Sequence, residues 1–156
     1  PRAAVLACDV SPTSLALCRL RLREEGFAAR RCDLRLCDPA AGQPLLDPQE
    51  QRCCAVLLAF TLSSIPPDTA AAALQAAAAA LRPGGHLLVR DFGLHDMRME
   101  RMRPEQALGP GSDLSQSFVR ANGLAQTYYS KEGLAALAQA AGLRVEDAGY
   151  RCIRQE

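Results

Sequence analysis

The chain has 156 residues, of which 49% are apolar and 22% charged, and its formal net charge is +1. That length accommodates one domain with a real core but not two, and the profile is that of an ordinary soluble globular protein. The near-neutral balance leaves any nucleic-acid contact to a local patch, no apolar run approaches the roughly 20 residues of a bilayer span, and no signal peptide opens the chain.

The first residue is Pro1, not Met, and a strand-like run begins almost at once, so a fragment or a gene product lacking its first coding segment is expected. Ala3–Cys8 is short and apolar, the pattern of a buried parallel strand, and it ends in Asp9. Ser11-Pro12 supplies a cap and a first-turn proline. Leu15, Cys18 and Leu22, with arginines between them, then predict an amphipathic helix to Glu25 that Gly26 stops. Phe27–Leu34 is a weaker strand, and Pro39–Arg52, rich in Pro, Gly and Asp, is a loop.

Cys53–Phe60 is wholly apolar and reads as a strand. Asp68–Leu81 is almost entirely alanine, the best helix former, and Arg82-Pro83-Gly84-Gly85 ends that helix. His86–Arg90 is the next strand and runs into Asp91, whereas Phe92–Thr127 lacks periodicity and reads as an insertion or long loop. Ser130–Ala141 is a capped helix closed by Gly142, and Leu143–Tyr150 a last strand. Alternating strands and helices predict a single α/β domain over residues 1–156, a three-layer sandwich around a mostly parallel sheet, with an insertion at about 92–127.

Cys8, Cys18, Cys32, Cys37, Cys53, Cys54 and Cys152 are odd in number and contain no C-x-x-C pair, so neither a disulfide framework nor a metal site is expected. Most lie in apolar stretches, where a thiol packs as a small hydrophobe. A reducing compartment follows, cytoplasmic in the first instance, with nucleus or mitochondrion left open.

Ligands of open parallel sheets bind at the carboxyl ends of the strands. Asp9, just past a strand, has the position of an acid that grips the two ribose hydroxyls of a nucleotide-like cofactor, although Asp before Ser-Pro is also a common helix-start residue. Ala59 and Phe60, at the end of the central strand, form an apolar edge suited to an adenine or a methyl donor, or else plain core. Asp33 in Cys32-Asp33-Leu34 can end a strand and meet an adenine amino group, with Asp38 as its rival and a solvated loop acid as the bland reading of both. Arg90 and Asp91 stand at a strand tip, followed by Arg98, Arg101 and Arg103, which suit phosphates unless Asp91, Asp96 and Glu100 pair with them. Phe92, Phe118, Tyr128 and Tyr129 are candidates for stacking on a base, or for the core.

Several of these residues occur together in one order. Ala7-Cys8-Asp9-Val10-Ser11-Pro12, Cys32-Asp33-Leu34, Phe60-Thr61-Leu62-Ser63, Pro67-Asp68, Leu81–Gly84 and Arg90-Asp91-Phe92-Gly93-Leu94-His95-Asp96 resemble consecutive landmarks of the methyltransferase-like proteins that make 3-methylcytidine in tRNA anticodon loops. The R-D-[FY]-G-L-x-D run is the most specific of these. Ser117-Phe118-Val119-Arg120, Asn122-Gly123 and Tyr128-Tyr129 resemble a later stretch of the same family, with Asn122 where the family has Asp and Ala125 where it has Arg.

The resemblance implies a Rossmann-like class I fold dependent on S-adenosylmethionine (SAM), truncated at both ends. The first strand with its G-x-G-x-G loop and the last strand would be missing. It implies a SAM-dependent enzyme acting on N3 of cytidine in tRNA, with Asp9, Asp33, Leu34, Ala59 and Phe60 on the cofactor side. Asp91 and Arg90 would be the catalytic pair, and Arg98, Arg101, Arg120 and Tyr128 would face the RNA. tRNA is the implied partner, with an accessory protein such as a tRNA synthetase beside it, and no membrane or metal. Without the glycine loop, this stretch alone is expected to bind SAM weakly and to be inactive. A small-molecule SAM methyltransferase and an inactive, partner-binding subunit are the two rival readings. The arginine patch argues against the first, and the missing loop and altered late motif argue for the second.

Overall fold

The computed structural model describes residues 4–27 and 31–152. Ala3 and residues 28–30, expected within strands, lie outside the described residues. Strand β1, Val5–Asp9, is followed by helix α1, Pro12–Glu24, and strand β2, Cys32–Leu36. Ser11 caps α1 by accepting the Ser14 N–H at 3.1 Å, and Pro12 occupies the first turn, where its missing N–H costs nothing. Gly26, at φ 70, takes the left-handed position that ends the helix, and the Phe27 N–H returns to the Leu22 carbonyl at 2.8 Å.

β1 and β2 pair in parallel from Val5 opposite Cys32 to Asp9 opposite Leu36. A loop with a short 3-10 turn at Pro39–Ala41 leads to β3, Cys53–Ala59. After a second 3-10 turn, Leu62–Ser64, come α2, Pro67–Ala80, and β4, Leu81–Arg90. β4 lies parallel to β3, with Ala55 opposite His86 and Ala59 opposite Arg90. The expected turn at Arg82–Gly85 is here a bulge within the strand: Leu81 already pairs with Cys53, and the register jumps before His86. Gly84 permits this at φ 73.

The core is built on α2. Ala70, Ala73, Leu74, Ala77 and Ala80 are buried, the spacing of one helical face. Alanine lets this face approach closely, and Leu58, Leu62, Ile65 and Tyr129 close the cluster, with Val56 and Leu87 of the sheet packed against it. Ala40 and Leu45, from the loop after β2, reach the same cluster, so that loop ties β1 and β2 to the rest.

Residues expected to be a loop over 92–127 contain an antiparallel hairpin, β5 (Ser115–Val119) and β6 (Ala125–Tyr129). It buries polar groups beside its aromatic ones: the Ser117 and Thr127 hydroxyls share a buried hydrogen bond of 2.9 Å. Helix α3, Lys131–Ala140, follows directly, capped by Ser130, which accepts the Gly133 N–H at 2.9 Å. Residues 143–150, expected to be a strand, are not one, because no strand edge among the described residues meets them. Tyr150 instead rests its ring on Gly93 and accepts the Lys131 N–H at 3.2 Å. The seven cysteines are free thiols. Among the described residues no helix is long and apolar enough to cross a membrane, and no cluster of His, Cys, Asp and Glu is fit to hold a metal.

Candidate functional site at the strand exits

The exits of β3 and β4 are stitched together by their own backbones. The Phe60 N–H donates to the Arg90 carbonyl at 2.7 Å, which carries the ladder one residue past β3. Phe60 then turns left-handed at φ 54, a conformation that a bulky residue rarely takes and that clusters at functional sites. The residue remains 44% exposed.

Asp91 leaves β4 with both oxygens engaged. Oδ1 accepts the Phe92 N–H at 2.9 Å, and Oδ2 accepts the Ser63 N–H at 3.0 Å. Ser63 has no solvent exposure, and its carbonyl accepts the Gln126 side-chain amide at 3.5 Å. One carboxylate therefore joins the turn after β3 to the tip of β4, and Gln126 extends the join to β6. The chain after β4 also lies along β6: Tyr129 N–H donates to Phe92 C=O at 3.2 Å, and Leu94 N–H to Tyr129 C=O at 3.0 Å. Burial, then the charge of Asp91, pushes the Tyr129 phenol up to about 12. Among the described residues, the Ser63 and Tyr129 hydroxyls are buried without a hydrogen-bond partner.

Four rings run inward from this edge. Phe60 and Phe92 lie 4.9 Å apart, Phe92 and Tyr128 6.2 Å, and Tyr128 and Phe118 6.0 Å. The Arg90 guanidinium sits 5.5 Å over Phe60, and that of Arg98 sits 4.7 Å over Phe92. Tyr128 is 1% exposed, so it backs the stack and offers no face of its own. Burial raises its phenol pKa, with Asp96 adding to the rise and Arg120 and Arg98 opposing it. Arg101 and Arg120 are exposed, and Arg120 opens the turn of the hairpin, accepting the Gly123 N–H at 2.8 Å.

On the other strand pair, Asp9 stands at the exit of β1. One of its oxygens accepts the Ser11 N–H at 2.8 Å, which sets the entry to α1. The other has no hydrogen bond to protein among the described residues. The strand-end placement expected for Asp33 is corrected. β2 runs on to Leu36, so Asp33 is the second residue of the strand and Leu34 sits mid-strand opposite Ala7. Asp33 is moreover taken by Arg35, whose Nε donates to it at 2.8 Å while the two guanidinium nitrogens grip Glu50. The acid beyond the exit of β2 is Asp38, which caps the Pro39–Ala41 turn.

The structure therefore brings together Ala59, Phe60, Arg90, Asp91 and Arg98, with Tyr128 behind them, and it leaves Asp33 away from the strand exit. Ser63 and Gln126, which complete the Asp91 network, were not foreseen. Ser63 lay within the Phe60–Ser63 landmark, whereas nothing in the sequence marks Gln126 as a buried amide.

A family model described as a methyltransferase domain matches residues 1–85. The chain is 31% identical over 151 residues to the tRNA N(3)-cytidine methyltransferase METTL6 of Mus musculus, covering 96% of this chain and 48% of that protein. It is 26% identical over 146 residues to the tRNA N(3)-methylcytidine methyltransferase Mettl2 of Drosophila melanogaster, covering 94% of this chain and 42% of that one. The chain thus spans about half the length of the curated relatives it matches. A crystal structure of an S-adenosylmethionine-dependent methyltransferase from Clostridium acetobutylicum ATCC 824 superposes with a TM-score of 0.64 at 11% identity, over 92% of this chain and 65% of that one. The chain belongs to the methyltransferase-domain family and has the Rossmann-like α/β fold of class I SAM-dependent methyltransferases.

Proposed function

We propose that this chain is the cofactor-and-base half of a SAM-dependent tRNA methyltransferase that acts on N3 of cytidine in an anticodon loop. The observation that carries the reading is the exit of β4, where Arg90, Asp91 and Phe92 are fixed against the exit of β3 and the hairpin. The names of the curated relatives support tRNA and N3 of cytidine.

The residues present fit the cofactor where they can be tested. Asp9 offers a free carboxylate oxygen at a strand exit for ribose hydroxyls, and Asp38 holds the corresponding place after β2 for an adenine amino group. Ala59 provides a small, exposed end to β3. Bound SAM supplies an electrophilic methyl group on a sulfonium.

Cytidine N3 carries a lone pair, so attack needs no prior deprotonation and the protein's task is alignment. The positive charge moves to the base as the bond forms. Asp91, fixed by two backbone amides, is preorganised to face that charge and to accept from the base's amino group through its remaining lone pairs. Arg98, Arg101 and Arg120 are exposed cations on the RNA side.

Nucleoside mass spectrometry on tRNA from cells lacking the gene tests the reading. Loss of 3-methylcytidine, restored by the wild-type gene, supports it. An unchanged level of that nucleoside overturns it.

A further inference from the structure

We propose that Phe60 is the outer face of a stacking site for a base of single-stranded RNA, with Arg90 and Arg98 as the cations that take the adjoining phosphates. This rests on the RNA reading above and assigns Phe60 to the acceptor strand instead of the cofactor.

The ring is displayed and rigidly backed. Its backbone is locked at φ 54, with its N–H on Arg90 and its carbonyl accepting the Ser64 hydroxyl at 3.4 Å. Inward it meets Phe92, which meets Tyr128, which meets Phe118, and the last two are buried. Phe92, itself backed by the two buried rings, packs against Phe60 and restricts its side chain before any base binds. Above the exposed ring lies the Arg90 guanidinium, and a guanidinium over an aromatic ring is a surface on which any base can stack.

The charges point to a phosphodiester. Arg90 and Arg98 make no ion pair among the described residues: of the two acids nearest Arg98 in sequence, Asp96 accepts the Arg98 backbone N–H at 2.8 Å and Glu100 stands 3.8 Å from the His95 ring. Two guanidiniums without an ion pair among the described residues, beside a two-ring face, suit a stacked base flanked by phosphates. The adenosyl group of SAM carries no phosphate and has no use for them.

The test compares two ligands on the complete protein: a labelled single-stranded RNA of anticodon-loop sequence, read by fluorescence anisotropy, and S-adenosylhomocysteine, read by calorimetry. Phe60→Ala should weaken RNA binding by about tenfold, the loss expected for one stacked base, and leave S-adenosylhomocysteine affinity unchanged. Phe60→Asn, which tolerates the left-handed backbone, should lose as much, and Phe60→Trp should restore wild-type affinity. Arg98→Ala should lower the slope of log affinity against log salt by about 1. RNA binding by Phe60→Ala equal to wild type overturns the stacking site and leaves the RNA reading standing. A loss confined to S-adenosylhomocysteine overturns it in favour of a cofactor face. Wild-type protein that binds S-adenosylhomocysteine but no RNA overturns both.

Discussion

Asp91 serves two purposes, and substitution separates them. Asp91→Ala strands the Ser63 and Phe92 N–H groups, the former in a residue with no solvent exposure. An unsatisfied buried donor costs about 1–3 kcal/mol. The thermal midpoint should therefore fall by about 2–4 °C for each kcal/mol lost. Methyl transfer should be abolished while S-adenosylhomocysteine still binds. Asp91→Asn keeps one acceptor oxygen and should recover part of the midpoint but not the turnover, because the negative charge is gone. An active Asp91→Ala protein would remove Asp91 from the reaction. Gly133 is constrained for a different reason. A Cβ there would collide with the Leu114 carbonyl oxygen, the atom that accepts the Ser130 N–H at 2.9 Å. Gly133→Ala must push the first turn of α3 off the hairpin, at the cost of overpacking, about 1–3 kcal/mol. Chemical denaturation with an unshifted midpoint would show that this approach is not tight.

Among the elements, the exits that form the site were legible because strands ending in acids carry their own signal: an apolar run, then Asp9 or Asp91. α1, α2 and α3 were legible from caps, alanine and Gly stops. The end of β2 was not, and the reason is chemical. Cys32, Leu34 and Leu36 alternate with Asp33 and Arg35, a strand pattern that runs past Leu34, and only pairing shows that the intervening charges neutralise each other. The hairpin escaped notice because Ser117, Gln126 and Thr127 are buried polar residues, so β5 and β6 lack apolar alternation. Asn122-Gly123, with Gly123 at φ 79, was the one overt turn signal there.

The Arg35–Glu50 pair also yields a pH prediction at this scale. Arg35, and then the Asp47 N–H, hold the Glu50 carboxyl down at about 2 against an ordinary 4.5. A depressed folded-state pKa contributes stability above the unfolded value, and that stability is lost as pH falls toward 2. Both partners are about one-third exposed, so the effect is modest. Acid titration should loosen the loop between β2 and β3 below pH 4.5, and Glu50→Gln should flatten that dependence. Identical acid profiles for the two proteins would show that the pair does not hold the loop.

At the scale of the molecule, the two parallel pairs are incompletely covered. β1 pairs only with β2 and β3 only with β4 among the described residues. Val56, Leu58 and Leu87 turn toward α2, while Leu57 and its register partner Leu88 face the other way, 64% and 56% exposed. Parallel strands ordinarily have both faces buried, so this face is built for cover that the described residues do not provide. Two adjacent leucines cannot be left in water without a tendency to associate. The 156-residue chain alone should therefore self-associate with rising concentration in size-exclusion chromatography. The double substitution Leu57→Thr, Leu88→Thr keeps the preference for strand and removes apolar surface that no core contact uses. It should shift the elution toward monomer with little change in thermal midpoint, since exposed positions away from the core tolerate substitution. A wild-type chain that stays monomeric would show the face to be shielded, and a doubly substituted chain that unfolds would show Leu57 and Leu88 to be packed within this same polypeptide.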